Sequence, residues 1–214
     1  LENDFNLNYE LLSTFIIASA ALAIAPGPDN IYVLTQSIAH GKKFGLATTL
    51  GLVSGCLVHT TLLALGVSAI IKESDQIFLL IKLFGALYLF YLAYKVFKSD
   101  AQLNLSTDKI PQKGLMALFK QGFIMNVLNP KVTIFFLAFF PGFLFSDSLN
   151  HIVQFYVLGL LFMLVTLLIF GFIAILSGSI SSYIKAHAHF GQTMKWLQIV
   201  VFCGIGLFIL LSNK

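Results

Sequence analysis

Residues 11–39 carry one charged side chain, Asp29, and comparably sparse runs recur along the chain at 44–71, 83–94, 121–146 (broken only by Lys131), 152–184 and 196–213. A membrane-spanning helix needs roughly 20 consecutive apolar residues, so these runs predict six spans. The run 83–94 is short until Lys82 is allowed to snorkel outward from the helix end, which extends it back to about Gln76. Composition agrees: 58% of the 214 residues are hydrophobic and 10% charged. Six helices of about 20 residues consume about 120, so the rest is short loops and termini with no room for a soluble domain. The expected fold class is an all-α membrane protein of six transmembrane helices.

The first run ends near Ala23-Ile24-Ala25, which resembles a signal-cleavage site. The leading segment LENDFNLNYE is acidic, however, and Pro26 directly follows, so a retained span is expected rather than a cleaved leader. Lysines 42 and 43, then 95, 98, 109, 113 and 120, then 185 and 195 fall in alternate loops. The positive-inside rule puts those loops in the cytoplasm and both termini outside. Lysines spread over loops, without interleaved aromatics, do not form a nucleic-acid stripe. Cys56 and Cys203 each lie deep in an apolar run with no paired-cysteine motif, which favours buried hydrophobes over a thiol-disulfide carrier.

Two spans are interrupted. Ala25-Pro-Gly-Pro-Asp-Asn30 falls about 22 Å into the first span at 1.5 Å per residue, and Asn126-Val-Leu-Asn-Pro-Lys131 interrupts the fourth. Proline removes a backbone donor and clashes with the preceding turn, costing roughly 3 kcal/mol. Pro26, Gly27, Pro28 and Pro130 are therefore expected helix breaks, and freed backbone at that depth must be buried in protein or line a polar cavity. Setting Pro28 against Pro130, a shift of 102 residues, brings Asp29 opposite Lys131. Since each half has three spans, the expected arrangement is two inverted three-helix repeats, 1–97 and 114–214, joined by a cytoplasmic linker at 98–113.

A buried charge costs about 2.5–3.5 kcal/mol on an insertion scale, so Asp29 and Lys131 need compensation. They are read either as a static ion pair that fixes packing or as a pair that opens to a zwitterion, Asp29 taking an ammonium and Lys131 with a helix N-terminus taking a carboxylate. Asp29 is also a candidate carrier of a coupling proton. Asn30, Asn126 and Asn129 supply donors and acceptors beside the breaks. Gly51, Gly55 and Gly85 suit close helix packing; Gly41 and Gly45 have the same one-turn spacing. His59, on the face of Gly55, is either a packed, hydrogen-bonded histidine or a titrating group beside the pathway. His187 and His189 lack a third ligand nearby, so a solvated loop is expected there and no metal.

With these residues in view, the chain resembles the LysE/RhtB family of bacterial amino-acid exporters over nearly its whole length. The match is carried by Pro26-Gly-Pro-Asp29, Gly41-Lys-Lys-Phe-Gly45 with Gly51 and Gly55, Lys82-Leu-Phe-Gly85-Ala-Leu-Tyr88, Gln121-Gly-Phe123, Asn126, Asn129-Pro-Lys131, Phe139-Phe-Pro-Gly-Phe143 and Gly204-Ile-Gly206. The chain departs from the family where Lys42 and Lys43 replace the usual arginine and Gly142 replaces a common glutamine. The resemblance implies efflux of amino acids such as threonine, homoserine, homoserine lactone, leucine, lysine or arginine across the bacterial inner membrane, driven by the proton gradient. Amino acids, protons and the bilayer are then the expected partners; no cofactor is expected, and a homo-oligomer is compatible with the reading. Few intramembrane acids favour a small neutral substrate over a dibasic one. A membrane scaffold and a thiol carrier are the alternatives. An intramembrane serine hydrolase built on Ser54 and His59 is disfavoured, because positions i and i+5 of a helix diverge.

Overall fold

The computed structural model describes residues 7–68, 75–100, 110–187 and 189–211. Most of the expected linker, Lys109 included, and the end of the second apolar run lie outside the described residues. In chain order the helices are α1 (Tyr9–Ile24), α2 (Pro28–His40), α3 (Lys42–Leu62, continued by a π turn Leu63–Val67), α4 (Asp75–Lys98) and α5 (Leu115–Val127). There follow α6 (Pro130–Phe139, continued by a 3-10 turn Phe140–Phe143), α7 (His151–Ile175), α8 (Ser177–Ala186) and α9 (Phe190–Leu211). Helices α3, α4, α7 and α9 are each long and apolar enough to cross a membrane. The pairs α1–α2 and α5–α6 qualify as spans bent by 59° and 52°. The protein is thus an all-helical, multi-pass membrane protein of six spans, the first and fourth broken.

Local chemistry sets the boundaries. Asn8 and Asn150 cap α1 and α7 by accepting from the backbone N–H of Leu11 (3.0 Å) and Ile152 (2.9 Å). Pro28 and Pro130 occupy first helical positions, where the missing N–H costs nothing. Gly41, at φ 98°, is the single residue between α2 and α3, a conformation that a side chain would strain. Two expectations are corrected. Lys82 lies inside α4, not at its end, and its side chain is buried, 8% exposed. The run 152–184 is not one span: it turns at Leu176, where Ser177-Gly-Ser179, all poor helix-interior residues, begin the short α8.

Glycine-mediated contacts hold the bundle together. On α3, Gly51 faces the Phe119 carbonyl of α5, Gly122 of α5 faces the Thr48 carbonyl in return, and Gly55 meets Asn126; a Cβ at any of the three would overlap these atoms. Gly85 seats α4 on Ala138 of α6, and Gly159 seats α7 on Thr60 of α3. Lipid gives helices no hydrophobic reason to associate, so such close approach is what binds them. At one end of the bundle, Gln154 accepts from the N–H groups of Phe145 and Ser146 and donates to the carbonyls of Ser146 and Leu149, fixing the α6–α7 connection. At the other end, Lys195 of α9 donates to the Ser99 carbonyl after α4 (2.8 Å).

Between the breaks and the Gln154 end lies a block of phenylalanines. Phe15, Phe135, Phe136, Phe139, Phe140 and Phe143 are at most 1% exposed, with ring centroids 4.1 Å apart for Phe136–Phe140 and 4.4 Å for Phe139–Phe143. Replacing Gly51 by valine should destabilise the detergent-solubilised protein by at least about 1–3 kcal/mol, the usual cost of overpacking. Gly66→Ala, with nothing within 4 Å of the added methyl, should leave thermal melting unchanged.

Candidate functional site

Both breaks leave carbonyls without their helical donors, and side chains supply replacements. In α1 the carbonyl of Ala23 would pair with the N–H of Gly27; the bend removes that bond, and the Asn30 amide of α2 donates to it at 2.7 Å. In α5 the carbonyl of Asn126 would pair with residue 130, a proline with no N–H. It accepts instead from the Asn129 N–H (3.0 Å) and from Nε2 of His59 (3.1 Å). His59 is 4% exposed and its ring packs on Phe136, 5.4 Å between centroids. Ser54 hydrogen-bonds the Leu50 carbonyl on the exposed side of α3, so the two side chains do not meet.

The breaks face each other across a cavity of about 40 Å³ lined by Gly27, Pro28, Asp29, Asn30, Asn126, Asn129 and Lys131, together with Cys56 and apolar side chains. Asn129 joins the halves: its Nδ2 donates to Oδ2 of Asp29 (3.0 Å), while its Oδ1 caps α6 by accepting from the Lys131 N–H (3.1 Å). No ion pair within 4.0 Å joins Asp29 to Lys131 among the described residues. The Lys131 ammonium lies 4.9 Å from the centroid of the Phe202 ring of α9, a cation–π contact, and 3.6 Å from where a Cβ on Gly27 would stand. The two charges therefore both line the cavity, attracting each other across it without a contact ion pair.

Helix dipoles make the two sides unequal. Asp29 occupies the first turn of α2, where an anion is favoured; Lys131 occupies the equivalent turn of α6, where a cation opposes the partial positive charge of the exposed N–H groups. Positive potential from the α6 N-terminus and the ammonium thus adds up on the Lys131 side of the cavity, whereas on the Asp29 side the carboxylate offsets that of α2.

A family model described as LysE type translocator matches residues 20–213. The chain belongs to that family. Similar proteins include a leucine efflux protein of Klebsiella pneumoniae, 28% identical over 204 residues and covering 92% of each chain. A homoserine/homoserine lactone efflux protein of Salmonella typhimurium is 28% identical over 180 residues, 84% of this chain and 86% of its own. An uncharacterized membrane protein of Vibrio cholerae is 27% identical over 196 residues, 91% and 94% of the two chains. No solved structure matches.

In this translocator the remaining sequence candidates occupy separate places. Pro26 lies at the break, next to the cavity's Gly27 wall, and Pro130 starts α6; Gly51, Gly55 and Gly85 lie at helix contacts outside the cavity lining. Cys56 and Cys203 are free thiols. His187 bonds the Tyr183 carbonyl within its own turn, and no group of three or more potential metal ligands is assembled among the described residues.

Sequence reasoning missed Phe202, one phenylalanine among 22, and the face of α7 formed by Phe162, Thr166 and Phe170, which lines the cavity at i, i+4 and i+8. For Thr166 a signal existed: it is the lone polar side chain between Tyr156 and Ser177. Substituting Asn30 by alanine should strand the Ala23 carbonyl and cost about 1–3 kcal/mol, measurable as a lower melting temperature in detergent.

Proposed function

We propose that this translocator is a secondary transporter exporting amino acids or close derivatives from the cytoplasm, small neutral ones preferred, driven by the proton gradient. One observation carries the reading: Asp29 and Lys131, opposite in sign, stand in the first turns of two helices whose N-termini converge on a shared cavity, and they do not close into an ion pair within 4.0 Å. A zwitterion supplies what each side lacks, its carboxylate relieving the clash of Lys131 with the α6 dipole and its ammonium meeting Asp29. Protonation of Asp29 would release that ammonium, which makes the carboxylate a natural point of coupling. The efflux proteins among its relatives support the same class of cargo.

The membrane arrangement is part of the proposal. Helices α2 and α6 begin 102 residues apart, each with proline at its first position. Helices α3 and α7 pack on one another, as do α4 and α9, the self-pairings expected of second and third spans related by a two-fold axis in the membrane plane. Residues 1–97 and 114–214 are accordingly taken as inverted repeats, with the lysine-bearing loops and the 98–113 linker in the cytoplasm, both termini outside, and the bacterial inner membrane as the setting. A cavity of about 40 Å³ holds a few waters and not an amino acid, so transport requires the halves to move apart around the breaks.

In membrane vesicles loaded with labelled amino acids, Asp29→Asn and Lys131→Ala should each lower efflux at least 10-fold, and an uncoupler should abolish it in the unmodified protein; full-rate export by both variants would overturn the site. Thr166 offers a finer test of cargo. Its side chain is 6% exposed, and its hydroxyl, on the cavity wall, has no hydrogen-bond partner among the described residues. Such a group is best satisfied by a polar substrate side chain, so Thr166→Val should lower the ratio of threonine to leucine efflux several-fold in a competition assay.

A further inference from the structure

The central cavity has walls of very different thickness. Towards the Gln154 end its lining includes Phe162, which packs on Phe135, Phe136 and Phe140 of the phenylalanine block, whose members are at most 1% exposed and stack ring on ring. Towards the lysine-bearing end it shares Gly27 and Pro28 with a second, open cavity of about 400 Å³ between α2, α4 and α9. This vestibule is ten times larger than the central cavity, large enough for an amino acid, and is lined by Asp100, Ser99, Lys195, Gln198, Met194 and Ile31 around the Pro26-Gly27-Pro28 segment. The partition, the wall common to both cavities, is the Gly27-Pro28 segment, with the Lys131 ammonium against Gly27. At its centre Gly27 has no side chain and is extended, φ −157° and ψ 176°. Neither flanking proline can donate a hydrogen bond, and the Asn30–Ala23 bond is the side-chain tie across the bend.

We propose that the vestibule is a loading site for the amino-acid zwitterion on the cytoplasmic side, with Pro26-Gly27-Pro28 as the inner gate and the phenylalanine block as the outer one. The identity of the occupant rests on the transport reading above; the path does not. Asp100 and Lys195 place opposite charges at the mouth, where they attract a zwitterion without trapping it in a dry site. Gln198 lies one turn deeper along α9 than Met194 and Lys195, nearer the partition. Displacing Gly27 needs the rearrangement of one hinge and of the Asn30–Ala23 and Asn129–Asp29 side-chain bonds, whereas opening the far side requires several stacked rings to part together.

Native Cys56, which lines the central cavity and is fully buried, serves as a reporter. In a Cys203→Ser background, Met194→Cys and, separately, Gln198→Cys would be treated in everted and right-side-out membrane vesicles with a bulky impermeant maleimide. Small methanethiosulfonate ethylammonium would then probe Cys56. The expected result is at least 10-fold faster maleimide labelling from the lysine-loop side, followed by at least 10-fold slower modification of Cys56 from that side once the vestibule is blocked. Gly27→Val should slow Cys56 modification similarly without a blocking label. Unimpeded reaction of Cys56 past a blocked vestibule, or labelling of both vestibule positions from the opposite side, would overturn the path. Protection of Met194→Cys by millimolar threonine or leucine would support loading, and unchanged labelling at saturating amounts of whichever amino acid is exported would overturn it. Since shielding of Cys56 needs no exported substrate, absent efflux with shielding intact would overturn the proposed function and leave the vestibule standing.

Discussion

Hydrocarbon offers no partner to a backbone N–H or C=O, and each of the two breaks leaves a carbonyl without its helical donor. Most of the arrangement around the centre follows from repairing that deficit. Asn30 reaches back across the first bend to Ala23, and His59 reaches across from α3 to Asn126 at the second. These repairs bring side chains from α2 and α3 to the breaks, and the second works only if α3 can approach α5 closely. The facing glycines Gly51 and Gly122, each against the opposite backbone, provide that approach. The glycine contacts and the polar centre are thus one device, since a bulkier α3–α5 interface would pull His59 away from the carbonyl that Pro130 cannot serve.

How much of this was legible in the sequence depended on whether the cause was local. Hydropathy and proline act within a turn or two, so six spans and two breaks at the proline motifs could be read directly. The same locality explains the failures. A long apolar run does not reveal that Ser177-Gly-Ser179 will turn the chain at Leu176, because hydropathy averages over them. Lys82 was assigned to a helix end by its cost in lipid, although burial against neighbouring helices relieves that cost as well. Phe202 was invisible because its importance lies in which ammonium its ring happens to face, a matter of tertiary placement and not of residue type.

Asp29 and Lys131 illustrate the difference between pairing charges in sequence and pairing them in space. The alignment of the two halves sets them opposite one another, and a salt bridge is the simplest way to offset their burial. The structure distributes the compensation instead: Asn129 and the start of α2 serve Asp29, and the Phe202 ring serves Lys131. Each of these is weaker than a close ion pair in a dry site, where separating the partners costs several kcal/mol. A binding centre gains from that weakness, because a ligand that must first break a strong internal bridge loses affinity by the amount of the bridge.

The unequal walls of the centre extend the same reasoning to movement. A rearrangement that swings α2 at Gly27 keeps its helical hydrogen bonds and those of α1, for the ladder already stops at Ala25, whose N–H makes the last bond of α1 to Ala21 at 3.0 Å. On the other side, α6 runs from its break straight into the phenylalanine block and is seated on α4 by Gly85 against Ala138. Motion there must carry α4 along, and with it α9, which packs along α4 and bears Phe202 beneath the Lys131 ammonium. In the proposed transport cycle, a carboxylate arriving at Lys131 would act on the Phe202 ring, which links the centre to α9 and so to the phenylalanine side of the bundle.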